Sequence, residues 1–428
     1  MLKKLKHKLI GTEEKKRLIG NIASLGVLQG ANFILPLFTI PYLVRILGPE
    51  YFGLLAFATA TIAYFMLITD YGFNLSATRQ ISIHRANKNK VNEIFSSVMM
   101  IKTALMLVSF GLMSLLVFSF EKFSQHWEVY FITFGMVIGQ VLFPVWLFQG
   151  MERMKYITYL NIGAKVFFTV CIFIFVKEQA DYLLVPLLTA MGFIVAGIFS
   201  LYLVKKEFNI NFVWQTSTTI KFQLAEGWHV FFSSMAISLY TVSTTFILGI
   251  FTNNVIVGYF SAADKVIQAV KGMYAPVSQS IFPLINNKIQ KDIKVGLAFI
   301  RKFTWIVGVA MFFVSTILFI FAELIVVFLF GEEYEQVGLF LKIMSFLPFI
   351  ILLSNIFGVQ TMLSLGMKKE FSKILISGAL LSFCLSFCLV PIFGALGSVW
   401  TIVIVEITIT ISMWLCLKKK FKNEKEIF

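Results

Sequence analysis

Apolar stretches long enough to cross a bilayer recur along nearly the whole chain, separated by short polar connections. Taking about 20 apolar residues as one crossing, they fall at roughly 19–45, 53–77, 94–120, 129–150, 158–176, 183–204, 227–250, 256–285, 303–330, 337–362, 372–393 and 396–417. The pattern predicts an all-α polytopic membrane protein of twelve transmembrane helices. The connections alternate in character. One set carries Arg79, Arg85, Lys88 and Lys90, then Arg153 and Lys155, then Lys205, Lys206 and Lys221, and later Lys288, Lys291, Lys294, Arg301 and Lys302, then Lys368, Lys369 and Lys373. The other set (LGPEYFG, EKFSQHWE, KEQADY, TNNV, GEEYEQ, FGALG) is nearly free of basic residues. Basic loops stay on the cytoplasmic side, so both lysine-rich termini are expected there. An even number of spans agrees.

The longest cytoplasmic connection, about 205–226, follows the sixth span and divides the chain into six and six. The expected organisation is a cytoplasmic interfacial segment (1–18), an N-terminal six-helix bundle (19–204), a linker (205–226), a C-terminal bundle (227–417) and a cytoplasmic tail (418–428). Residues 1–17 place Leu2, Leu5 and Leu9 on one face among lysines, which reads as a helix lying on anionic lipid rather than as a cleavable signal. The halves also echo one another. GPEYFGLLAFAT at 48–59 aligns with NNVIVGYFSAAD at 253–264, with Gly53 falling on Gly258. An even number of spans per half makes this a parallel repeat about an axis along the membrane normal, with a central cleft.

Composition sharpens the class. Of 428 residues 58% are hydrophobic, mean hydropathy is +0.85, and 14% are charged, against roughly 25% in soluble proteins. The net charge of +15 reflects loop topology, so no nucleic-acid partner is expected. Cys171, Cys384, Cys388 and Cys416 sit in apolar stretches as small core residues. There is no phosphate-binding GxxxxGK[ST] loop and no HExxH, and His7, His84, His126 and His229 are scattered. No catalytic residue, metal or cofactor is expected.

What remains is charge inside the spans. A cation near mid-membrane costs about 2.5–3.5 kcal/mol on insertion scales, so such residues usually face a wet interior. Lys102 and Lys165 lie about a third of the way into their spans from the cytoplasm, without a partner in helical reach. The eighth span carries Asp264, Lys265, Gln268 and Lys271, with 264, 268 and 271 on one stripe. Asp70 and Asn74 share a face of the second span, either bonding across helices or lining the inner mouth. Arg45 and Lys342 lie near outer ends, where snorkelling is the simpler explanation. The surplus is cationic, and lysines within low-dielectric walls attract anions. The expected substrate is therefore anionic and phosphate-bearing, held by Lys102, Lys165, Lys265, Lys271, Arg45, Arg79, Asp70 and Asn74. Asp264, Glu323 and Glu406 are the candidates for ion coupling.

One run is more specific. Pro36, Pro41-Tyr42, Arg45, Leu47-Gly48-Pro49, Phe52-Gly53, Asp70-Tyr71-Gly72-Phe73, Ala77-Thr78-Arg79 and Lys102 resemble the N-terminal segment of bacterial O-antigen flippases, the Wzx-type polysaccharide exporters. PVWLFQGME at 144–152 and LFGEEYE at 329–335 are also similar. The resemblance implies a fold of two six-helix bundles shared with multidrug extruders and the peptidoglycan-precursor flippase. It implies a transporter, not an enzyme, in the bacterial inner membrane. Its substrate would be an undecaprenyl-pyrophosphate-linked oligosaccharide passed from the cytoplasmic to the periplasmic leaflet by alternating access, with the lipid bilayer and other polysaccharide-assembly proteins as partners. Asp70, Arg79 and Lys102 stand in matching motifs. Lys165, Lys265 and Lys271 rest on position alone. The alternative is a cation-coupled multidrug or metabolite extruder of the same fold, which calls for an acidic cleft. A periplasmic polymerase or glycosyltransferase calls for a sizeable outer loop that this chain lacks.

Overall fold

The computed structural model describes the backbone of residues 2–421, and the side chains of 20–421 apart from 21–23, 25, 33, 233–234, 236–241, 275–276 and 279–280. The interfacial face expected at 1–18 and the tail beyond 421 lie outside the described residues. Among the described residues the chain is predominantly helical and contains no strand, and nine helical stretches are long and apolar enough to cross a membrane. The protein is a multi-pass membrane protein. Hydrocarbon offers backbone groups no partners, so a spanning chain must satisfy them within helices.

The first helical run, α1 (Leu2–Asp70), is too long for one crossing and is broken at Gly48, whose φ of 69° lies in the region that favours glycine. Pro49 follows at the start of the resumed helix, where its missing N–H is tolerated. The run turns again at Tyr71 and Gly72, with φ of 47° and 75°. Contacts divide the chain into two compact units: residues 1–35 with 61–235, and residues 36–60 with 236–428.

The first unit continues with α2 (Phe73–His84), α3 (Lys88–Ser119), a short α4 (Glu121–Ser124), α5 (Trp127–Leu142), α6 (Val145–Gly150), α7 (Met154–Phe175), α8 (Leu184–Phe208) and most of α9 (Ser217–Thr241). The single apolar stretch expected at 129–150 is divided where Phe143 and Pro144 leave helical geometry. Phe73, Ala77 and Ile81 of α2 pack with Ile94 and Val98 of α3 and Trp146, Leu147 and Phe148 of α6 to form the core. Helices α5 and α8 meet backbone to backbone: a methyl group at Gly139 would stand 2.3 Å from the Phe193 carbonyl carbon. Such close approach through small residues is how helices associate where burial of oil against oil contributes little. The stretch 209–216 runs without helix and is held to α3, with Asn211 N–H donating to Asn92 Oδ1 (3.2 Å) and Val213 N–H to Ser96 Oγ (2.9 Å).

The second unit holds α10 (Ser243–Phe251), α11 (Asn254–Lys291), α12 (Ile293–Ile320), α13 (Ala322–Phe330), α14 (Val337–Met344), α15 (Leu347–Asn355), a π-helical turn (Ile356–Leu363), α16 (Lys368–Phe393) and α17 (Ala395–Lys420). Within it, the helix resuming after Pro49 crosses α11 at two glycines. A Cβ on Gly53 would fall 1.8 Å from the Asn254 carbonyl oxygen, and one on Gly258 would fall 2.0 Å from that of Pro49. The contact is reciprocal, four residues apart on each side.

Candidate functional site

Helix α3 carries Lys102 into the first unit, where its side chain is buried, 1% exposed. Asp70, the last residue of α1 before the left-handed turn, approaches it from a different helix, Nζ to Oδ1 at 3.9 Å. The separation is long for an ion pair, and Asp70 Oδ1 is buried without a hydrogen bond. Two unit charges about 4 Å apart gain about 4 kcal/mol at an effective dielectric constant of 20. Removing each ion from water costs several kcal/mol, which pairing repays only when further hydrogen bonds complete both groups. The Asp70 carboxylate receives a backbone hydrogen bond from Gly72, but the oxygen facing Lys102 accepts none.

Asp70 and Lys102 both line a cavity of about 290 Å³, together with Asn74, Gln140, Asn161 and Lys165 among apolar side chains such as Phe143, Phe168 and Phe193. Its walls come from α1, α2, α3, α5, α6, α7 and α8, all from residues of the first unit. Lys165, on α7, donates to Asn32 Oδ1 at 2.5 Å. Asn161, one turn earlier, gives its amide to the Ile157 carbonyl at 3.0 Å. Gln140 Oε1, at the end of α5, is buried and accepts no hydrogen bond. Two ammonium groups against one carboxylate leave the chamber net positive, within walls where charge is weakly screened.

Four expected site residues, Asp70, Asn74, Lys102 and Lys165, therefore share one chamber. The others stand elsewhere. Arg79 is exposed on α2 and outside the chamber lining. Arg45 serves the second unit: Nε donates to the Leu329 carbonyl at 2.8 Å, and its guanidinium also reaches that of Phe328. These carbonyls end α13, where a cation meets the negative end of the helix dipole. On α11, Asp264 accepts from Gln268 Nε2 at 3.4 Å, Lys265 is exposed and Lys271 half-buried. Glu323 is exposed and sits 3.8 Å from Lys342, and Glu406 is buried on α17. Trp146, whose ring is fully buried against Phe95, is a core residue. Sequence reasoning passed over Gln140, Asn161 and Asn32. Carboxamides inside otherwise apolar spans were the available signal, and it is fainter than that of a charge.

A helical membrane bundle with a polar, net-positive internal chamber defines a transporter of small or lipid-borne polar cargo. The fold agrees with solved transporters: a multidrug resistance MATE family transporter of the MOP superfamily in its inward-facing conformation (TM-score 0.67, 12% identity, 94% of this chain and 99% of that one) and the lipid II flippase MurJ, inward closed (TM-score 0.66, 14% identity, 92% and 87%). Residues 18–288 match the model of the family described as polysaccharide biosynthesis protein, and the chain belongs to that family of membrane transporters. A protein of Escherichia coli (strain K12), assigned as an O-antigen transporter, is 36% identical over 390 residues, 91% of this chain and 94% of that one. A Shigella dysenteriae protein with the same assignment is 30% identical over 93% of this chain and 99% of its own length.

Proposed function

We propose that this protein is a flippase for lipid-linked oligosaccharide. It moves an undecaprenyl-pyrophosphate-linked repeat unit, O-antigen or similar, from the cytoplasmic to the periplasmic leaflet of the bacterial inner membrane by alternating access. Twelve spans in two six-helix bundles related by a parallel repeat, with both termini cytoplasmic, form the working architecture. The reciprocal contact of Gly53 and Gly258 supports the repeat, because an internal two-fold relation makes such contacts come in pairs. The relatives' assignment as O-antigen transporters supports the cargo.

The observation that carries the reading is the chamber holding both Lys102 and Lys165. A glycan cannot cross hydrocarbon unaided, since each hydroxyl stripped of its partners costs roughly several kcal/mol. A net-positive chamber replaces those partners and attracts the pyrophosphate, for which lysine is a point-charge ligand. The polyprenyl tail stays in lipid. Asp264, Glu323 and Glu406 are the carboxylates available for ion coupling. A multidrug extruder would need the opposite charge balance at its binding site.

Complementation tests this directly. Flippase-deleted strains making different glycans should regain surface glycan with the wild-type gene in at least one background. Lys102→Ala and Lys165→Ala should lose it at equal membrane abundance. Undiminished display in both variants would overturn the cationic-chamber mechanism.

A further inference from the structure

The chain leaves α8 at Asn209, whose φ of 49° stops the helix, and becomes helical again at Ser217. The strap between them, 209–216, is fixed on one side. Ile210 is buried in the core of the first unit, and the Asn211 and Val213 amides donate to Asn92 and Ser96 of α3. Its other side is bare. Trp214 is 80% exposed, more than any other large apolar side chain among the described residues, and Phe212 and Val213 are each half exposed. The Phe212 and Trp214 rings meet edge to face at 5.7 Å. Exposed apolar side chains are ordinary on helices that face lipid, but 209–216 lies outside all nine span-length stretches. Lysines frame the patch. Lys205 and Lys206 close α8, and Lys88 stands one turn before Asn92 on α3, all of them exposed. Lys205 also donates to Asn211 Oδ1. Between Tyr202 and Lys221 the single carboxylate is Glu207, which accepts a hydrogen bond from Tyr156 at 2.7 Å.

Resting on the topology proposed above, which puts this connection in the cytoplasm, we propose that the strap is an interfacial anchor. Phe212 and Trp214 enter the headgroup region of the inner leaflet, and Lys88, Lys205 and Lys206 meet anionic lipid there. An indole, apolar in body with one polar N–H, settles at that depth. Juxtamembrane lysines are drawn to the same place by the negative surface potential of the leaflet. Reach is no obstacle, because Phe212 is four residues past the end of α8, at most about 14 Å of chain. The basic frame also selects the occupant. It suits an acidic lipid surface, whereas a second copy of a chain carrying +15 would bring like charge against it. Because the strap is stapled to α3, the contact holds the inner end of the helix that carries Lys102 at headgroup level.

The test reads tryptophan fluorescence of the full-length protein in lipid vesicles, taking the Trp214 signal as the difference between wild type and Trp214→Phe. Lipids carrying a nitroxide near the headgroup should quench that signal more strongly than lipids carrying it at the chain end. Acrylamide in the aqueous phase should quench it weakly. Exchanging phosphatidylcholine for phosphatidylglycerol should deepen the lipid quenching. The double variant Lys88→Gln with Lys206→Gln should lose that gain, and it leaves Lys205 in place to brace Asn211. All of these substitutions fall on exposed side chains, so the hydrogen bonds to α3 stay intact. Strong acrylamide quenching without lipid quenching would place the strap in water, and protection from both quenchers would mean that another protein covers it. Either result overturns the anchor, as does lipid quenching indifferent to phosphatidylglycerol. No step involves glycan. Failure of wild type to restore display in any background therefore sinks the flippase reading alone, whereas restored display with a water-exposed Trp214 sinks the anchor alone.

Discussion

Lys102 and Asp70 form a pair whose weakness is informative. Each is held by a different helix, they stop 3.9 Å apart, and the Asp70 Oδ1 atom between them accepts no hydrogen bond. Deleting one partner strands the other, so Lys102→Ala should lower stability by about 3–5 kcal/mol. The double variant Asp70→Asn with Lys102→Met should recover most of that loss, since a well-packed neutral pair can match a buried ionic one. Glycan display should stay absent in both. Thermal unfolding alongside display checks this, and recovery of display in the neutral pair would show that the charges serve only structure. Lys165→Arg should retain part of the display that Lys165→Ala loses, because a cation remains near Asn32. Both lysines were legible in the sequence, for a charge within an apolar run stands out. Asn32, Asn161 and Gln140 were not, because an amide resembles ordinary helix–helix glue until a cavity is seen beside it. Arg45 was read as a ligand candidate, yet the carbonyls it serves lie 283 and 284 residues away in sequence, a pairing that no local pattern reveals.

At the level of elements, the apolar runs located the helices well and their interruptions less well. Leu47-Gly48-Pro49 announced a break, and Gly331 and Gly394, both at positive φ, fall in two of the connections between apolar runs that the sequence marked. The divisions at Phe143-Pro144, Phe321 and the π-helical turn after Asn355 fall inside runs of unbroken hydrophobicity. Hydrophobic periodicity reports burial, and a helix can bend or restart without changing which atoms avoid water. Arg45 stabilises one such restart by completing the end of α13. Arg45→Ala should lower the unfolding temperature, with a cost of about 1–2 kcal/mol from lost carbonyl partners and dipole compensation. Arg45→Lys should recover some of it. An unchanged melting temperature in Arg45→Ala would mean that solvent or lipid headgroups replace the guanidinium without loss.

Across the whole molecule, the all-helical, multi-pass membrane class followed from composition and hydropathy. Residues 36–60 group with 236–428 rather than with their sequence neighbours, a tertiary outcome that hydropathy along a line cannot encode. The proposed direction of transport has an electrical consequence at the same scale. With the cytoplasm negative, outward movement of an anionic head group is downhill by about 2.3 kcal/mol per charge per 100 mV. Reconstituted vesicles should therefore flip substrate faster when the donor side is made negative, and slower when the potential is reversed. A rate indifferent to potential would assign the drive elsewhere, to Asp264, Glu323 or Glu406.

The mutual seating of Gly53 and Gly258 carries a lesson about epistasis. The missing side chain at each glycine admits the other helix's carbonyl, so enlarging either one already pushes the two axes apart. Gly53→Ala and Gly258→Ala should each be destabilising by about 1–3 kcal/mol, and a thermodynamic cycle should find the combined change far smaller than their sum. Evolution could thus lose both glycines more easily than it could lose the first.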